Sequence, residues 1–177
     1  MRVKALAAVA AAAALLIGFA YASRQADSPV EVVTTAPTAI DFAATDLDGS
    51  PFSGASLRGK VVLLDFWAVW CAPCITAIPK LNHLQAEFAD YDFEVVGLAV
   101  HSGTVEDVRQ FAAEHGMRYR VVVGDEELPY RYGVIGYPSY FLIDRQGNQV
   151  RKLVGALPDL EEKVIAEIKA LVASSGS

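Results

Sequence analysis

The sequence predicts an α/β domain built on a mixed central sheet with helices on both faces. Two kinds of segment point to it. Apolar runs of strand length, Val61–Trp67 and Phe93–Val100, alternate with stretches whose apolar residues recur at three and four, the helical spacing. Strand–helix–strand order requires crossover connections, and those give parallel pairing. A late pair of segments, Tyr140–Ile143 and Gln149–Val154, flanks Asp144-Arg-Gln-Gly-Asn148 and adds an antiparallel hairpin.

In chain order, Phe42–Thr45 and Pro51-Phe52 flank Asp46-Leu-Asp-Gly49, a turn signal. Val61–Trp67 is apolar at all but one place, as in a strand buried on both faces. Ile75, Ile78, Leu81, Leu84 and Phe88 mark the first helix, and Pro79 inside it is expected to kink it. Phe93–Val100 is the next strand. Thr104-Val-Glu-Asp107 is a capping box opening a helix whose inner face is Val105, Val108, Phe111 and Ala112, and Gly116 ends it. Tyr119–Val123 is a strand. After the hairpin, Pro158 opens the last helix, with Leu160, Val164, Ile168 and Leu171 toward the core.

Length and composition bound the rest. The 177 residues are 53% hydrophobic and 20% charged, which excludes a disordered acidic chain. Met1-Arg-Val-Lys4 and the uncharged run 5–22, ending Ala20-Tyr21-Ala22, fit a secretory signal peptide or an N-terminal membrane anchor. Either reading places the remainder outside the cytoplasm. Residues 23–38 read as a linker, 39–172 as one domain and 173–177 as a disordered tail. Beyond residue 22 the 15 basic residues lose Arg2 and Lys4, so 13 stand against 21 acids, a charge of −8. That balance argues against nucleic acid as a partner and limits membrane contact to residues 5–22 where these are retained.

Both cysteines lie in Trp70-Cys71-Ala-Pro-Cys74, where the apolar strand meets the first helix. Residues i and i+3 share a helix face, within reach of a disulfide. A loop so short stabilises little by chain closure, so the pair makes a poor staple. A helix N-terminus offers unpaired N–H groups and a positive potential that favour a thiolate. Cys71 is therefore expected to be the exposed nucleophile and Cys74 the resolving thiol. The rival uses of the pair are a structural bond and Cu(I) or zinc binding by soft thiolates. Two cysteines do not fill a four-ligand zinc site, and His83, His101 and His115 are not at ligand spacing from them.

Asp65 interrupts the buried strand six residues before Cys71. Burial raises a carboxyl pKa, and from beneath the pair it is placed to take the proton of Cys74. Trp70 is expected to cover the site and Trp67 to lie in the core. Pattern alone gives no isomer for the Tyr137–Pro138 bond.

Asp65-Phe-Trp-Ala-Val-Trp-Cys-Ala-Pro-Cys74 with Pro79 resembles the thioredoxin active-site segment. The exported start, Leu57-Arg-Gly-Lys-Val-Val62, and Tyr132-Gly-Val-Ile-Gly-Tyr-Pro138 followed by Phe141-Leu-Ile-Asp144 and Gly147 are closer to the TlpA/ResA-like branch of extracytoplasmic thioredoxin-fold proteins. The resemblance covers about Ile40 to Leu171. It implies a thioredoxin-like fold, a cis-proline at Pro138 opposite the cysteines, a substrate-contacting Tyr137, and Asp65 as the buried acid. Two positions depart from the pattern. Ala77 stands where ResA-type proteins often carry Glu, and the strand 93–100 lacks the lysine that partners the acid in thioredoxin.

The function so implied is thiol–disulfide exchange outside the cytoplasm, in a bacterial periplasm. The Cys71–Cys74 dithiol would reduce disulfides of exported proteins, such as apocytochromes c during their maturation or copper-site cysteines, without a cofactor. A membrane electron donor would re-reduce it. The alternatives are a Cu(I) metallochaperone and a peroxiredoxin-like thiol peroxidase. The peroxidase reading needs a Pro-x-x-x-Thr/Ser-x-x-Cys environment, whereas Phe66-Trp-Ala-Val-Trp70 precedes Cys71.

Overall fold

The computed structural model describes residues 38–155 and 160–174. The signal or anchor reading, nearly all of the linker, tail residues 175–177 and Pro158 lie outside these residues, whereas Ala173, read as the start of the tail, is the last residue of the final helix. Strands β1 (Ala43–Asp46) and β2 (Pro51–Ser53) form a hairpin, and a single 3-10 turn, Gly54–Leu57, follows. Then come β3 (Val61–Trp67), α1 (Ala72–Glu87), β4 (Phe93–Ala99), α2 (Val105–Glu114) and β5 (Arg120–Gly124). The chain ends with the short α3 (Leu128–Arg131), β6 (Ser139–Ile143), β7 (Gln149–Val154) and α4 (Leu160–Ala173). One seven-stranded sheet runs β2-β1-β5-β4-β3-β6-β7. The β3–β4 and β4–β5 pairs are parallel, and the other pairs are antiparallel.

Side-chain alternation sorts the buried strands onto two cores. Val61, Leu63 and Trp67 of β3 face one, with Leu81 and Leu84 of α1, Val108 and Ala112 of α2, and Val164 and Ile168 of α4. Val62, Leu64 and Phe66 face the other. The steps β3 to β4 to β5 move one way across the sheet, and crossovers share one hand, so α1 and α2 fall on one face. Both faces are covered, but unequally. The second face carries the 3-10 turn through Leu57, α3 through Leu128, and the segment with Ile40 and Phe42. The four-residue α3 and the 3-10 turn are too short to show a helical period, which is why periodicity did not reveal them.

The capping-box signal acts as read. Thr104 Oγ1 accepts from the Asp107 N–H at 3.2 Å while Asp107 Oδ2 accepts from the Thr104 N–H at 2.8 Å, a complete capping box. Pro79 lies inside α1 on its exposed side.

Candidate functional site

Cys71 is the N-cap of α1, with Pro73 in the first turn. The Cys74 N–H points at Cys71 Sγ, 3.2 Å away, so one of the helix's orphan donors already serves the sulfur. The two cysteines form a disulfide with a Cα–Cα distance of 5.3 Å. Their exposure corrects one expectation. Cys71 is not open to solvent: it is 5% exposed against 4% for Cys74. The oxidised sulfurs pack into the core that holds Trp67 and Ala77. The two still differ in access, because Cys71 lines a surface cleft and Cys74 is not part of its wall.

That cleft has a volume of about 590 Å³, and Pro73, His101, Tyr130, Ile135 and Tyr137 line it with Cys71. Its rim is apolar and open: Trp70 is 64%, Tyr130 76% and Ile135 87% exposed. Trp70 is nonetheless held. Its Nε1 donates to the His101 carbonyl at 3.0 Å, and its ring meets Tyr137 edge-on with centroids 5.7 Å apart. Trp67 lies in the core, as expected. The Tyr137–Pro138 bond is cis. Pro138 is buried directly before β6, whose Ser139 pairs with Phe66 at the C-terminal end of β3, so the cis segment and the cysteines share one end of the sheet. Ser139 Oγ donates to the Gly136 carbonyl at 2.7 Å and fixes the approach.

Asp65 is 2% exposed. Leu63 and Trp67, two residues either side on β3, belong to the core that contains both cysteines, so Asp65 faces the same way. Its neighbours across the sheet are Gly97 on β4 and Tyr140 on β6. Burial away from water pushes its carboxyl up to about 8. The same burial, with the Asp65 charge, raises the phenols of Tyr119 and Tyr140.

Sequence reading missed His101, Tyr130 and Ile135 in the cleft, and Gly97 and Tyr119 around the acid. One signal was present. His101 directly follows the run Phe93–Val100, and loops at the carboxyl ends of parallel strands are where open α/β sheets bind ligands. Among the described residues His101 is also the one non-glycine with positive φ, at 50°. No three His, Cys, Asp or Glu side chains cluster as metal ligands among the described residues.

A family model described as the AhpC/TSA family matches residues 35–152, more than half of the chain. The thiol-disulfide oxidoreductase ResA of Geobacillus thermodenitrificans is 35% identical over 127 residues, 71% of this chain and 72% of that protein. ResA of Bacillus thuringiensis strain Al Hakam is 31% identical over 116 residues, 65% of this chain. The chain spans 66% of that relative's length, just under two thirds. The crystal structure of a thiol:disulfide interchange protein of the thioredoxin family from Chlorobium tepidum TLS superposes with a TM-score of 0.65 at 31% identity, covering 76% of this chain and 95% of that one. The fold is thioredoxin-like.

Proposed function

We propose, from the premise that the chain belongs to the AhpC/TSA family and is a thiol-disulfide oxidoreductase, that it reduces disulfides of exported proteins. The observation that carries this reading is the Cys71–Cys74 pair at the start of α1, with Cys71 in an apolar cleft that Tyr137, the residue before cis Pro138, also lines. In the reduced protein the helix N-terminus and the Cys74 N–H stabilise the Cys71 thiolate. That thiolate attacks one sulfur of a substrate disulfide. The substrate bond breaks, and one substrate thiolate leaves and takes a proton from water. Cys74 passes its proton to the Asp65 carboxylate, attacks Cys71 Sγ and displaces the second substrate thiolate. The substrate has gained two electrons, and the protein holds the Cys71–Cys74 bond. A base titrating near 8 is well matched to a thiol whose unperturbed value is about 8.5.

The setting is extracytoplasmic, the basic start and apolar run of residues 1–22 carrying the chain out. Two electrons from a membrane donor restore the dithiol, and cytochrome c maturation is one process that consumes such electrons. The reduction potential of the pair tests the direction. A value near ~−270 mV is expected, and one near ~−120 mV would make the protein an oxidant instead. Cys71→Ser should abolish turnover of a protein disulfide, and retained turnover would remove Cys71 as nucleophile.

A further inference from the structure

One wall of the cleft is the segment that follows α3. Val134, Ile135, Gly136 and Tyr137 line the cleft, and the Ile135 side chain stands exposed at its rim. A stretch with so little buried apolar contact keeps its shape through its ends. The far end is tied at cis Pro138. The Gly155 N–H, just past β7, donates to the Pro138 carbonyl at 2.8 Å, and Ser139 Oγ holds the Gly136 carbonyl. The near end is the C-terminus of α3, which a Schellman motif closes. Gly133, with a φ of 60°, donates its N–H to the Tyr130 carbonyl at 3.0 Å, and the Val134 N–H donates to the Pro129 carbonyl at 2.8 Å. The motif serves those two carbonyls but not the ones of Tyr132 and Gly133. Lys152 of β7 serves both: its Nζ donates to the Tyr132 carbonyl at 3.3 Å and to the Gly133 carbonyl. The ammonium also stands over the Phe141 ring, 5.2 Å from its centroid, and Phe141 is the residue opposite Lys152 in the β6–β7 ladder. Neighbouring Arg151 shows the ordinary use of a cation on such a strand, an ion pair with Glu167. Lys152 is directed at backbone instead.

We propose that Lys152 is a positioning residue for exchange with protein disulfides: by clasping the Tyr132 and Gly133 carbonyls it holds the 134–137 wall of the Cys71 cleft in the shape a polypeptide docks against. The proposal rests on the reductase reading above. Lys152 does not itself line the cleft, so it acts through the segment it holds. β7 thus fixes that segment twice, by Lys152 at the near end and by the residue after the strand, Gly155, at the far end. Hydrogen bonds from an ammonium are stronger than those between neutral groups, and the aromatic face beneath the ammonium adds to its placement. A neutral side chain of similar length leaves both carbonyls to water and the wall free to move. A protein disulfide must then order the wall as it docks, and that cost weakens binding without touching the sulfur chemistry. A small disulfide makes little use of the wall.

The test is single-turnover reduction of excess insulin by the reduced full chain, quenched in acid and scored by thiol alkylation. Lys152→Met keeps the apolar stem and removes the charge. The insulin concentration giving half the limiting rate should rise roughly three- to tenfold, while the limiting rate stays within about twofold of the wild type. Lys152→Arg, which keeps a fork of N–H donors, should restore the wild-type concentration dependence. Amide hydrogen exchange over residues 134–137 should quicken roughly tenfold in Lys152→Met and stay unchanged in α1. An unchanged half-saturating concentration in Lys152→Met overturns the proposal and leaves the reductase reading in place. An equal loss with hydroxyethyl disulfide also overturns it, because the change would then lie in the sulfur chemistry. Weakened insulin binding with unaltered exchange over 134–137 overturns it too, because Lys152 would then meet the substrate directly. A wild type that leaves insulin intact removes the reductase reading, and this proposal with it.

Discussion

Trp70 combines exposure with restraint. An indole 64% open to water is held by one hydrogen bond to a carbonyl and one aromatic edge contact. The carbonyl belongs to His101, whose positive φ is uncommon for a residue with a Cβ. Holding a large apolar ring in place before a partner arrives removes part of the ordering cost of binding. The ring adjoins Cys71 in sequence and shares the cleft wall with Tyr130 and Ile135, which together offer apolar surface to a polypeptide. A small aliphatic disulfide touches little of that surface. Trp70→Ala should therefore lower kcat/KM for a folded protein disulfide roughly tenfold, about 1.4 kcal/mol, as expected of a partly buried aromatic contact. Its rate with a small disulfide should stay within about twofold. Equal losses on both substrates would show that Trp70 shapes the sulfur chemistry instead of the docking surface.

Among the elements, the β1–β2 hairpin and the 3-10 turn after it close the face that lacks long helices. Gly54 opens that turn where no side chain fits. A Cβ there would lie 2.3 Å from the Ile40 carbonyl oxygen and 2.5 Å from the Phe42 ring. The oxygen is backbone, and the Gly54 N–H in turn donates to the Phe42 carbonyl at 2.9 Å, so neither strand segment is free to yield. Gly54→Ala should cost about 2 kcal/mol or more in chemical denaturation, by the overpacking route. The reduction potential should not change, since the turn packs on the core opposite to that of the cysteines. The elements also show how far a linear reading reaches. The N-cap cysteine, the capping box at Thr104 and the buried β3 run are local patterns, and they were legible residue by residue. Gly97 opposite Asp65 is a register fact, and register arises only when β3 and β4 pair. The cleft wall at Tyr130 and Ile135 depends on a four-residue helix with no period of its own. Cys71 read as exposed because a helix N-terminus normally is, whereas in the folded protein it packs with Trp67 and Ala77 in the core.

For the whole molecule, an unpaired acid at the centre of the sheet makes stability depend on pH. Asp65 titrates near 8 when folded, because burial removes its hydration, and near the ordinary aspartate value of 3.8 when unfolded. Between those values the folded state holds a proton that the unfolded chain has released, so stability falls as pH rises through the window. The contribution is complete below about 4 and lost above about 8. Other carboxylates act at the opposite end. Burial raises Glu94, but hydrogen bonds from Lys60 and Arg120 outweigh it and hold Glu94 below its ordinary value. Asp107 is lowered by the hydrogen bonds its carboxylate accepts from the Thr104 hydroxyl and N–H. Their stabilisation is lost only as pH falls below the usual carboxylate range, so it does not mask the upper window. A tenfold change in the acid's proton affinity corresponds to about 1.4 kcal/mol, which makes the Asp65 effect on the order of 5 kcal/mol across the window. That is a large share of the ~5–15 kcal/mol that holds a domain folded. Denaturation of the oxidised protein should therefore show stability declining from about pH 4 to about pH 8, with no cysteine titration contributing. In Asp65→Asn that decline should flatten, leaving the variant more stable than the wild type at the upper end of the window and closer to it at the lower. Parallel pH curves for the two proteins would mean that water reaches the carboxylate, and that the acid beneath the cysteines is not tuned by burial.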